Sequence, residues 1–141
     1  MNRILCPIHI GSIAAIVFFA VLGAASSKAQ EEKPLKTRGI SLAASDKLLL
    51  GDQIPELDGY ALQIRTIVLK PGAVAAYHSH AKRPVVAYLV KGDYTEHRDG
   101  QGIVVHKPGD QWVEGADVAH WSENRGNETT YLINVEIVHQ Q

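Results

Sequence analysis

Cysteine is almost missing from this chain: Cys6 is the only one among 141 residues. From residue 7 onward there can be no disulfide framework, no cysteine-rich zinc site and no thiol nucleophile. Cys6 itself lacks the surrounding pattern of a lipidation site. There is no excess of basic residues either, with 14 Lys and Arg against 15 Asp and Glu. No basic stripe is present, which argues against nucleic acid as a partner and against electrostatic attraction to anionic lipid. No Gly-x-Ser-x-Gly elbow, Gly-rich phosphate loop or dinucleotide fingerprint occurs, so the common nucleophile and nucleotide readings fail. Beyond the first 29 residues no stretch holds a helical period.

Those first residues differ from the rest. Arg3 is the only charge before Lys28, Ile10 to Leu22 is apolar, and small residues lead to Ser27-Lys28-Ala29. This pattern predicts a secretory signal peptide over 1–29, cut after Ala29, and hence an exported protein, periplasmic or secreted. The alternative is an uncleaved anchor, since Ile4 to Ser27 is long enough to span a membrane. Pro7, His9 and Gly11 weaken a span, so cleavage is the expectation, and with it no membrane partner. Without Arg3 and Lys28, twelve basic residues face fifteen acidic ones.

Residues 30–38, charged and holding Pro34, read as a flexible lead-in. The domain then runs over 39–141. Ile40 to Leu50 is a short strand or irregular segment. Tyr60 to Leu69 alternates, with Leu62, Ile64, Thr66 and Val68 on the face expected to be buried and Gln63 and Arg65 opposite. Lys70-Pro71-Gly72 predicts a turn. Further short strands are expected at Val74 to His80, Pro84 to Val90, Tyr94 to Arg98, Ile103 to His106, Gln111 to Glu114, His120 to Asn124 and Tyr131 to Val138. Short strands with turns between them predict an all-β sandwich or barrel. Asn127-Glu128-Thr129 matches a glycosylation sequon.

The chemistry gathers at His78-Ser79-His80. Alternate residues of a strand share a face, so the two imidazoles point together and Ser79 points away. Two such rings can reach one metal ion, which takes imidazole nitrogen at about 2 Å. His120 lies far enough on for the chain to cross the sheet and return opposite them.

At this point the sequence resembles the cupin family. The first cupin motif is Gly, five residues, His-x-His, three or four residues, Glu, six residues, Gly; Gly72, His78, His80 and Gly92 fall in register with it. The second is Gly, five residues, Pro-x-Gly, two residues, His, three residues, Asn; Gly109, His120 and Asn124 fall in register. The resemblance implies a cupin-like jelly-roll β-barrel with a divalent transition metal (Fe, Ni, Mn or Zn) held by His78, His80 and His120. Two departures stand out. Val85 occupies the usual position of the glutamate ligand, and Gly115 and Asp117 replace the Pro and Gly of the second motif. Three neutral imidazoles leave the ion's charge uncompensated, which favours an anionic ligand in the open positions.

Another acid could stand in. Strand parity sets Trp112 with Glu114 on one face and Gln111 with Val113 on the other. With Glu114 inward, it is a fourth ligand or a catalytic base and Trp112 lines the pocket. With Gln111 inward, it is a hydrogen-bonding wall residue and Glu114 is solvated. Glu96 and His97 take opposite faces, so one of them is expected inward. His97, His106 and His139 are expected at surfaces or strand edges. Tyr77 and Tyr88 read as wall or packing aromatics. Lys82 and Arg83, after His80, suit either an anionic substrate or solvent. Two functions follow from different classes: a metal-dependent, dioxygenase-type enzyme on a small organic substrate, or a non-catalytic cupin holding a small ligand or a metal. An enzyme requires an inward acid, base or donor besides the histidines; a binding module requires an apolar pocket. Open barrel edges and the resemblance allow a homodimer.

Overall fold

A computed structural model describes residues 32–140, and the expected signal peptide lies outside them. Eight strands follow one another: β1 Arg38–Leu49, β2 Tyr60–Ser79, β3 Val85–Lys91, β4 Tyr94–Arg98, β5 Gly102–His106, β6 Gln111–Glu114, β7 Ala119–Glu123 and β8 Thr130–His139. One 3-10 turn, Pro55–Leu57, is the only helical element among the described residues. The strands form one sheet in the order β5-β4-β7-β2-β8-β3-β6, with β1 also on β2. The pairs are antiparallel, and the sheet curls into the half-barrel of a jelly roll.

The long strand β2 organises the sheet. Its first half pairs with β1 and β8 through residues 60–69, and its second half pairs with β7 from Val74 to Ser79. The turn expected at Lys70-Pro71-Gly72 is instead a bend inside one strand. Pro71 has no N–H to give a ladder, and Gly72 takes φ of +73°, which favours glycine. The Gly72 N–H donates to the carbonyl of Asn124 at 3.0 Å, so the bend is stitched to the far end of β7. The bend lets β2 change partners and carry His78 across to face β7.

The strand at 38–49 is longer than expected, because ten of its residues pair with β2. The lead-in before it is tied to β2 rather than loose. Pro34 carbonyl accepts from the Tyr77 N–H at 2.8 Å, and Thr37 Oγ1 accepts from the Ala76 N–H at 3.0 Å.

The alternation of β2 is real, but the buried face is the opposite one. Leu62 and Ile64 are exposed, while Ala61, Ile67 and Leu69 turn inward with Arg65. The outward side chains line up across four strands, Ile64 opposite Val135, Val135 opposite Val86 and Val86 opposite Val113. The outer face of these strands is therefore apolar as well, beside an interior that mixes apolar and charged side chains.

The core comprises Leu69, Ala73, Val85, Ala87, Leu89, Tyr94 and Leu132. Gly92 closes β3 into β4 at φ of +84°, where a Cβ would stand 2.6 Å from Thr130 Oγ1 and 2.7 Å from its Cα. The first-motif glycine is therefore fixed by contact as well as by backbone angle. Asn124 is buried and ties the end of β7, its Nδ2 donating to the carbonyls of Leu69 at 3.1 Å and Glu128 at 2.7 Å. Asp117 does not disturb the turn before His120: the Val118 N–H donates to Gly115 carbonyl at 3.0 Å, and all residues described at positive φ are glycines.

Candidate metal centre

The β2–β7 register sets His78 directly opposite His120, and parity along β2 brings His80 to the same side. Their three Nε2 atoms converge: 3.1 Å from His80 to His78, 3.0 Å from His80 to His120 and 3.2 Å from His120 to His78. His80 and His120 are buried and His78 is half-buried. Each ring's other nitrogen faces an acceptor. His78 Nδ1 is 2.8 Å from Ala76 carbonyl, His80 Nδ1 is 3.1 Å from Arg83 carbonyl, and His120 Nδ1 is 3.1 Å from Glu96 Oε1. Those partners place the protons on Nδ1 and leave a lone pair on every Nε2. Burial, followed by the repulsion of neighbouring positive groups, holds His78 below the usual imidazole range and brings His80 down to about 4. Three lone pairs thus meet within 3.2 Å, an arrangement that a shared cation relieves. The donor set fits a divalent transition metal.

The carboxylate missing at Val85 is supplied by the adjoining strands. Val85 pairs with Glu114 of β6 on one side and with Glu136 of β8 on the other. Glu114 faces inward, its Oε2 lying 3.0 Å from His80 Nε2 and 3.9 Å from His120 Nε2. Trp112 Nε1–H donates to Glu114 Oε1 at 2.9 Å, which leaves Oε2 as the atom on the histidine side. Burial, with the nearby Glu96 carboxylate, pushes Glu114 up to about 8. Glu114 therefore keeps its proton to higher pH than a free carboxyl does.

Glu96 is the better-hidden acid. Burial would raise its pKa, but hydrogen bonds from His106 and His120 outweigh it and hold the group below the usual carboxylate range. Its Oε2 accepts from Arg98 Nε at 2.7 Å and His106 Nε2 at 2.9 Å, and its Oε1 faces His120. Such an outer carboxylate fixes the ring and tautomer of the histidine it holds. Glu96→Gln keeps the shape and removes the charge. It is expected to weaken metal binding by about tenfold, the low end for loss of an outer-shell partner, as read by competition with a chelator.

Several expected placements differ. Tyr88 and Gln111 are exposed and lie outside the wall of the cavity, because their parity on β3 and β6 is the outward one. Trp112 turns inward but does not line the cavity; it braces Glu114 and stacks on His106 with ring centroids 3.7 Å apart. His97 and His106 are buried rather than superficial. His97 takes the face opposite Glu96, as parity requires, and lies flat on Trp121 at 3.5 Å with Nε2 2.9 Å from Glu123. His139 is exposed, against Tyr60. Tyr77 does line the cavity, its hydroxyl donating to Asp99. Arg65, Tyr94 and Asn134, none of which the sequence had marked for the site, are cavity residues. An arginine at an inward parity position of β2 was the one available signal, and the apolar residues beside it pointed the other way.

The cavity measures about 280 Å³, near the lower end for small-molecule sites. A jelly-roll barrel with buried histidines and acids around such a cavity defines a class with the means to hold a metal and a small ligand. A family profile described as "Cupin domain" matches residues 65–136, just over half the chain, and the protein belongs to the cupin family. No curated protein matches it. Among solved structures it is similar to a Thermotoga maritima protein described as a predicted oxalate decarboxylase. That match has 24% identity and a TM-score of 0.53 over 76% of this chain and 90% of the other. It is also similar to an RmlC-like cupin with a double-stranded β-helix fold from Methanocaldococcus jannaschii, at 23% identity and a TM-score of 0.50 over 55% and 71%. The Cupin_2 domain of an XRE family transcriptional regulator from Enterobacter cloacae matches at 15% identity and a TM-score of 0.50 over 70% and 96%. These likenesses carry the fold.

Proposed function

We propose that this protein is a metal-dependent enzyme acting on a small organic substrate, with His78, His80, His120 and Glu114 holding a divalent transition metal. The convergence of three Nε2 lone pairs carries the reading, and Glu114 beside them supports it by supplying the charge that three imidazoles lack. When bound, such an ion supplies Lewis acidity, polarising a substrate oxygen or lowering the pKa of a water. The chain's own residues do the rest. Carbonyls of Ala76 and Arg83 and the carboxylate of Glu96 hold the rings in one tautomer. Trp112 fixes Glu114 so that Oε2 is the oxygen turned to the histidines. Ile67, Leu69 and Leu132 exclude water from one side of the cavity.

The catalytic reading is favoured over simple binding by the polar wall. Besides the histidines, the cavity presents Glu114, Arg65, Arg83, Tyr94 and Asn134, whereas a passive apolar ligand needs few polar groups. The leading 29 residues support work outside the cytoplasm. Untagged protein is expected to carry about one transition-metal ion per chain by elemental analysis, and oxygen uptake with small acids, carbonyls and phenols tests for dioxygenase-type turnover. A protein that neither contains nor accepts Fe, Ni, Mn or Zn would sink the proposal.

A further inference from the structure

Two arginines reach the same cavity from different parts of the chain. Arg65 comes from the first half of β2, and Arg83 from the loop after His80. Both are anchored on one acid. Arg65 Nε lies 2.5 Å from Glu136 Oε1, and Arg83 Nε lies 3.4 Å from Glu136 Oε2. Glu136 is 1% exposed, whereas the arginine side chains keep 25% and 36% of their surface. A buried acid thus holds two guanidinium groups that remain accessible from the cavity.

The charges do not balance. Around Glu136, two guanidinium groups against one carboxylate leave one positive charge, in surroundings partly shielded from water. An arginine fork has five N–H donors, and both arginines meet Glu136 as ion pairs through Nε. The natural complement is a planar carboxylate, which a guanidinium fork matches in geometry as well as charge. Arg83 also spans the two parts of the site, since its carbonyl accepts from His80 Nδ1 while its side chain lines the cavity. An anion on the arginines would therefore lie in the same cavity as the histidine cluster. The remaining wall includes Ile40, Ile67 and Leu132, suited to a short carbon skeleton.

We propose that the substrate is a small organic acid whose carboxylate docks on Arg65 and Arg83 while its reacting end faces the histidine cluster. This names the substrate class for the metal-dependent reading above and rests on it for the chemistry, though not for the binding.

The test is calorimetric titration of zinc-loaded protein at low ionic strength with malonate, succinate and glutarate, their diamides, and inorganic phosphate. At least one dicarboxylate is expected to bind, with its diamide and phosphate much weaker. Arg83→Gln is expected to weaken that acid by about 10- to 100-fold, the range for losing a hydrogen bond to a charged group, with zinc content unchanged. Arg65→Lys, which keeps the charge and loses the fork, is expected to weaken it by about tenfold. Arg83 is half-exposed in a loop, so its variant reports even where Arg65→Lys folds poorly. Acid affinity unchanged in Arg83→Gln, diamide or phosphate equal to the acid, or no acid bound at all would each overturn the inference. If the protein takes up no metal, the metal reading alone fails and the titration is run without zinc. Acid binding that depends on Arg83 then still supports the docking site, and its absence overturns it.

Discussion

Alanine at His80 is expected to lower metal affinity by more than about a hundredfold, beyond the 10–100-fold range for an outer-shell partner. His80 is the hub of the site. Its Nε2 is 3.1 Å from that of His78, 3.0 Å from that of His120 and 3.0 Å from Glu114 Oε2. Its Nδ1 is held by Arg83 carbonyl, so the ring cannot turn away without breaking a buried hydrogen bond. Removing it takes out one donor and the neighbour of three others. His120→Ala should act similarly, since that ring also loses the Glu96 contact. Gln111→Ala and Tyr88→Phe, on the outer face, should leave metal content as it is. Elemental analysis of untagged protein reads all four variants. Stoichiometric metal surviving both histidine substitutions would remove the cluster from any account of function.

Metal-free protein is expected to be most stable near pH 6.5, with stability falling on both sides. On the acid side the controlling groups are His78 and His80, held below their ordinary value of 6.5, His80 at about 4. The unfolded chain takes up these protons first, so stability is lost as pH falls below 6.5. On the alkaline side the group is Glu114, raised from 4.5 to about 8. Its contribution is fully present below 4.5 and is lost as pH rises through 8, because the unfolded carboxyl ionises while the buried one keeps its proton. Between pH 4.5 and 6.5 the two histidines outweigh Glu114; above 6.5 Glu114 acts alone among these groups. The loss from 6.5 to 8 should amount to about 1–2 kcal/mol. Glu114→Gln should flatten that limb. Metal should reverse it, since uptake at neutral pH displaces the Glu114 proton, about one per ion. Melting curves in chelator at several pH values check the first two points, and titration of released protons checks the third. A metal-free parent whose melting point rises from pH 6.5 to 8 would exclude a protonated Glu114.

The apolar outer face and the polar interior share one cause. Arg65 and Glu136 take inward positions on neighbouring strands β2 and β8, and each needs the other as a partner once buried. Filling inward places with charges leaves Leu62, Ile64, Val86 and Val113 outside. An alternating pattern says that two faces differ; it does not say which one meets the cavity. Alternation therefore leaves open which face of β2, and whether Arg65, meets the cavity. The same limit applies to Tyr88 and Gln111, whose side of the sheet depends on register with neighbouring strands. The bend at Gly72 differs from the expected turn for a related reason. Pro71-Gly72 signals a break in the ladder, and only the partner strands determine whether the chain reverses or continues.

The sequence by itself determined the all-β class, most of the strand positions and the three histidines, because period-two alternation, Gly and Pro punctuation and the His-x-His spacing are local properties. It also marked the empty carboxylate position at Val85. What filled that gap lay beyond local reading. Glu114 is 29 positions further along the chain and becomes Val85's neighbour only through the β3–β6 register. Glu96 meets His120, and Arg65 meets Glu136, in the same way, across strands. Ladder register is set by packing of the whole sheet, so the tertiary structure alone decided which acids surround the histidines and which arginines face the cavity.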